Sequence, residues 1–296
     1  MLVPRPHGRP IAFLFSPAHT QSGTTIMRGA QLADLARAST LSSRSIAFTS
    51  TDQEFRGADL FLTKGAARSV TESILRAWRR AGNRIFFDPV DESVPDELIG
   101  SDDTVVAASR TALAAYRDRW PHLRVRLVNH HVDPRVRAAM QTPHTRSAAR
   151  VAYFGELENA VLGGGVADLM DVYPVDTSKK EQTWFSHLPE YGLHYAVRRH
   201  RELDHHKPFL KGFTAAACGA NVLIQRDQHE ARLWLPEDYP FWVDVPLSTE
   251  AITQSIEAAQ DSFDTPQWRY GLEVMRNLER ATGPSAVARS LEMLFG

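Results

Sequence analysis

Lysine is the scarcest charged residue in this chain: five occur in 296 residues, Lys64, Lys179, Lys180, Lys207 and Lys211, and the other 29 of the 34 basic residues are arginine. Cysteine is scarcer still. The single Cys218, set in the apolar stretch "TAAACGANVLI", excludes an internal disulfide and reads as a packing residue in a protein of a reducing compartment. Net charge is nearly absent too. A formal charge of −1 and a pI near 6.9 take away the surface excess that phosphate-backbone binding needs, so no nucleic-acid partner is expected. No apolar run approaches the ~18 residues of a membrane helix, and "MLVPRPHGRP" has no continuous apolar core of a signal peptide. A cytoplasmic protein is expected, with peripheral contact at the inner face of a membrane through arginines left open. Nothing in the sequence fixes an oligomeric state. There is no Asp-x-Asp triplet, and His130–His131–Asp133 and Asp204–His205–His206 lack metal-ligand spacing, so neither a protein-held metal nor a bound cofactor is expected. "LGGGVADLM" has a glycine turn but no following G-K-[ST], which excludes a Walker A loop.

What the chain does have is alternation. "IAFLF", "SIAFT", "LFLTK", "RIFFD", "TVVAA" and "VRLVN" are short apolar runs without strict two-residue periodicity, as strands buried on both faces of a parallel sheet require. Helical patterns separate them. "SVTESILRAWRRAG" stops at Gly82, and "SRTALAAYRDRWP" starts at Ser109 as N-cap and stops before Pro121. The segment 130–150, with two prolines and a polar cluster, reads as a linker. A second series follows: "VAYFGE", "DVYPVD", "GLHYAVR", "ANVLIQ" and "FWVDV", then three C-terminal helical stretches. The expected fold class is α/β, with two Rossmann-like doubly wound domains over 1–140 and 150–296, the terminal helices belonging to the second.

Open α/β sheets bind ligands at the carboxyl ends of their strands, which selects the candidate residues. After the first strand come His19, a general-base candidate because imidazole titrates near neutrality, and Ser22–Gly23 at a helix start whose free N–H groups suit a phosphate or hydroxyl. Asp88 and Asp91 follow another strand end, either as bases or as makers of Asx-type turns. Gly155 closes "VAYFG", where a backbone can approach a ligand closely. In "HHKPFLKGFTAAACGANVLIQRD" a helix starting near Pro208 would put Lys207 at its entry and Lys211 one turn later on the same face, both ammonium groups beside free helix N–H groups: an anion site.

These segments resemble the GT-B glycosyltransferases. "RVRLVNHHVDP" is similar to the end of their N-terminal domain, "VAYFGE" to the opening strand of their nucleotide-sugar domain, and "KPFLKGFTAAACGANVLI" to their donor-binding helix and next strand. The resemblance is to the family 4-like members and implies two domains facing a cleft, a nucleoside-diphosphate sugar as co-substrate and a hydroxyl acceptor as partner. One departure stands out: where many retaining members carry two glutamates on this helix, the matching positions hold Lys207 and Thr214. Lysines there suit a departing diphosphate in a metal-independent transferase, and Arg198 would add a bidentate phosphate contact. Two other readings stay open, a sugar-nucleotide 2-epimerase of the same fold and a non-catalytic sugar-nucleotide-binding module.

Overall fold

The computed structural model describes residues 8–141, 145–175, 183–199 and 206–296. Asp204 and His205, and part of the expected linker, lie outside them. The chain divides into two compact units: Met1–His130 with His205–Pro208 and Pro284–Gly296, and His131–Asp204 with Phe209–Gly283.

In the first unit, β1 (Ile11–Phe15), β2 (Ile46–Ser50), β3 (Asp59–Leu62), β4 (Arg84–Val90), β5 (Thr104–Ala107) and β6 (Arg124–Leu127) form one parallel sheet in the order β2-β1-β3-β4-β5-β6. The inner strands are buried along their whole length in β3 and β5, as their unbroken apolar runs require, whereas the edge strand β2 stays half-exposed. The second unit holds β7 (Val151–Gly155), β8 (Asp171–Pro174), β9 (Leu193–Tyr195), β10 (Asn221–Gln225) and β11 (Trp242–Val243), also parallel, in the order β11-β10-β9-β7-β8. All eleven runs expected from the sequence are strands. In both sheets the chain leaves its first strand in one direction and later returns past it in the other, so each has a switch point: between β1 and β3, and between β7 and β9.

The helices begin where side chains can cap them. Thr71, Ser109, Ser248 and Thr265 each accept from a backbone N–H three residues on. Pro266 and Pro284 open their helices at the position where a missing N–H costs nothing.

The last helix, Pro284–Phe295, differs from the expected domain assignment, because it belongs to the first unit. Val287, Leu291, Leu294 and Phe295 pack into the core with Ile11, Phe13, Phe61 and Phe86. The Phe295 ring meets Phe86 edge-on at 5.0 Å, and the Phe295 carbonyl accepts from Arg44 and Arg84.

Candidate functional site

The first unit's switch point is built from the ends of β1, β3 and β4. Past β1, a 3-10 turn at Pro17–His19 leaves His19 exposed. Ser22 then caps the helix start Gly23–Thr25, accepting from the Thr25 N–H at 3.2 Å and donating to the Thr25 hydroxyl at 2.8 Å. The helix continues with π geometry over Ile26–Gln31, a form concentrated at functional sites. Beyond β3, Lys64 opens the helix Lys64–Ser69, and Gly65 lies so close to the histidine that an added Cβ would sit 2.9 Å from the His19 Cβ. Gly65 thus lets His19 lie close against the β3 side of the switch point.

Asp91 lies at the same edge, 2.6 Å from the Lys64 ammonium, which also reaches Glu92 at 2.8 Å. Burial works against the Lys64 charge, but these two hydrogen bonds outweigh it and raise the ammonium above its ordinary pKa. Just before Asp91, Val90 has φ +65, where the β4–β5 register shifts. A β-branched residue there costs on the order of 1–3 kcal/mol, strain of the kind that collects at functional sites.

Asp88 departs from its reading as a base. It is fully buried, and its two oxygens accept from Arg28 at 2.8 and 2.9 Å. Burial pushes its carboxyl above the usual range, with the Arg28 charge opposing. Both carboxylate oxygens are engaged by the arginine. Arg28, also fully buried, donates further to the carbonyls of Val128 and Asn129, so the pair ties the π-helical turn, the end of β4 and the chain beyond β6 together. Sequence reasoning missed Arg28 because nothing distinguishes it from the other 28 arginines.

The second unit's switch point gathers Gly155, Glu156, Arg198 and Lys211. The helix starts at Leu210, not near Pro208, so Lys207 precedes the N-cap Phe209 and falls with the first unit, while Lys211 alone stands in the first turn. Lys211 stands in the helix with the Arg198 charge acting on it, and Lys207 lies ahead of the helix. Lys211 donates to the Phe154 carbonyl at 2.6 Å and lies 4.1 Å from the centre of the Tyr153 ring. An added Cβ at Gly155 would come within 2.5 Å of the Lys211 nitrogen, so the glycine makes the room in which the ammonium sits. Burial first, and then the Arg198 charge, lower Lys211 to about 7, with Glu156 partly opposing. Tyr153, in turn, donates to the Glu156 carbonyl at 2.6 Å and fixes the turn after β7. Thr214 lies half-buried further along the helix, its carbonyl accepting from the Cys218 N–H.

No protein-family model and no curated protein matches the sequence. Solved structures do match. The chain superposes on the glycosyltransferase from Rickettsia africae ESF-5 with a TM-score of 0.68 at 8 % identity, covering 98 % of each chain. For HepE of Anabaena, solved in complex with UDP-glucose, the TM-score is 0.55 at 10 % identity, over 96 % of this chain and 99 % of that one. Against the GtfA/B complex it is 0.55 at 8 % identity, and there this chain spans 57 % of the matched chain's length. The fold is GT-B. In GT-B terms the first unit is the N-terminal domain, completed by the last helix, and the second is the C-terminal domain. At these identities the likeness is one of architecture, and residue roles rest on this chain's own geometry. Among the described residues no group of three His, Cys, Asp or Glu side chains is placed to hold a metal ion, and no helix is long and apolar enough to cross a membrane.

Proposed function

We propose that this GT-B protein is a glycosyltransferase that moves a sugar from a nucleoside-diphosphate sugar to a hydroxyl acceptor, without a metal. The observation that carries the reading is Lys211 at the switch point of the second sheet, in the room that Gly155 leaves and with the Arg198 charge acting on it. Folded chains do not hold like charges together without reason, and an incoming diphosphate supplies one.

The donor's diphosphate then meets Lys211 and Arg198, with Gly155 giving the approach and Thr214 further along the same helix. As the bond from the anomeric carbon to the leaving oxygen breaks, the electron pair goes to the diphosphate, and the two fixed cations stabilise it in place of a metal ion. The acceptor is assigned to the first unit, at Ser22–Gly23 and His19. His19, exposed beside the switch point, takes the acceptor's proton, and Asp91 is second choice because its carboxylate is already engaged by Lys64. The solved relative in complex with UDP-glucose supports a nucleotide-sugar donor.

The test is incubation with a panel of UDP-, GDP-, dTDP- and CMP-sugars, reading released nucleotide. Slow acceptor-free hydrolysis of one donor supports transfer. Epimerised donor with no release, or binding without any turnover, contradicts it.

A further inference from the structure

Gln225 ends β10 with its side chain 1 % exposed, a position an amide occupies at a cost unless both of its ends are bonded. Both are, and to one residue. Its Oε1 accepts the Arg198 N–H at 3.1 Å, and its Nε2 donates to the Arg198 carbonyl at 2.7 Å. The strand pairing between β9 and β10 has stopped by then, its last partners being Tyr195 and Leu223. The amide thus stands in for a neighbouring strand at the one residue where the backbone ladder no longer reaches. On the opposite flank Arg198 forms an antiparallel bridge with Ala160, and the Val197 carbonyl accepts from the Val161 N–H at 3.3 Å. The Arg198 backbone is consequently gripped from both sides. Arg198 follows the carboxyl end of β9, and its bridge to Ala160 sets it beside the chain that leaves β7, which places it at the switch point, with its side chain half-buried.

An aliphatic residue at 225 would suit the surrounding core, with Leu223 and Ile224 beside it, but would leave two Arg198 backbone groups unpaired. Such a double clamp on an ordinary surface arginine has no purpose that the core requires. We propose that Gln225 is a positioning residue of the donor site: it fixes the Arg198 backbone so that the guanidinium is presented to the donor's diphosphate. This rests on the reading of the second unit as the nucleotide-sugar unit.

A double-mutant cycle tests it, with binding of UDP, GDP and dTDP measured by calorimetry on the whole chain and folding checked by circular dichroism. Gln225→Met keeps the volume and removes both bonds. Gln225→Glu keeps the acceptor and loses the donor, and serves if the first variant does not fold. The expected result is a loss of about three- to tenfold in affinity for the preferred diphosphate, the scale of one or two neutral hydrogen bonds. The same change in an Arg198→Ala background should cost nothing further, because Gln225 acts only through Arg198. Losses that add in the double variant, or unchanged affinity in a folded Gln225 variant, overturn the proposal. Unchanged affinity in Arg198→Ala overturns it as well. If the wild-type chain binds none of the diphosphates, the donor-site reading itself has failed, a result distinct from a wild type that binds and a Gln225 variant that binds equally well.

Discussion

Lys211 holds a charge where burial and a neighbouring arginine oppose it, and that conflict has two measurable consequences. Its pKa, lowered to about 7 from 10.5, lies below that of the unfolded chain. Between those values the unfolded state binds one more proton than the native state, so stability rises with pH from about 7 to 10.5 and the penalty is full below 7. Lys211→Met should remove this slope and raise stability at pH 6, as read by urea denaturation across pH. Ligand binding runs the other way. A diphosphate needs the ammonium form, so above pH 7 binding must take up a proton and affinity falls as pH rises, while Lys211→Ala loses roughly 1.5–3 kcal/mol of affinity, the scale of a charged hydrogen bond. Calorimetry in buffers of different ionisation enthalpy reads the proton uptake directly. In the first unit, His19→Ala should lower kcat about 10²–10⁴-fold with donor affinity kept, the usual contribution of a positioned general base. Near-normal turnover would move the role to Asp91. Asp88→Asn, by contrast, should cost about 3–5 kcal/mol in stability, since it leaves Arg28 buried without its counter-charge. Denaturant unfolding checks this.

At the scale of elements, the strands were legible because strands buried on both faces of a parallel sheet are largely apolar, and runs such as "LFLTK" and "TVVAA" recur at short, regular intervals between helical patterns. Helix starts were legible where a capping hydroxyl marks them, as at Ser109. The start at Leu210 was not, because its N-cap is Phe209, which offers no side-chain bond, and proline two residues earlier suggested a false beginning. Lys211 could be singled out by rarity, and Arg198 entered through the family resemblance, but how Lys207, Lys211 and Arg198 are placed relative to one another depends on where β9 and the helix end and begin, which periodicity does not encode. The last helix shows the same limit. Its apolar face at Val287, Leu291 and Leu294 says that something must cover it, not which core does. Leu291→Ala should accordingly cost about 2–5 kcal/mol, and the loss should appear in hydrogen exchange of β1 and β3 rather than of β7 and β9.

For the whole molecule, both sheets place their candidate residues at the carboxyl ends of strands near the switch point, His19 and the Lys64-bonded Asp91 in the first unit and Lys211 with Arg198 in the second. If Lys211 and Arg198 supply the positive charge, as proposed, EDTA should leave turnover unchanged, and a loss that Mg²⁺ or Mn²⁺ restores would contradict the metal-free proposal. The central claim is that these two cations bind a nucleoside diphosphate, and calorimetric titration of UDP, GDP and dTDP into wild type, Lys211→Ala and Arg198→Ala at pH 6.5 tests it most directly. The account predicts that one diphosphate binds the wild type and binds each folded variant at least about tenfold more weakly, the equivalent of ~1.4 kcal/mol. Wild-type binding that both variants retain in full would contradict it.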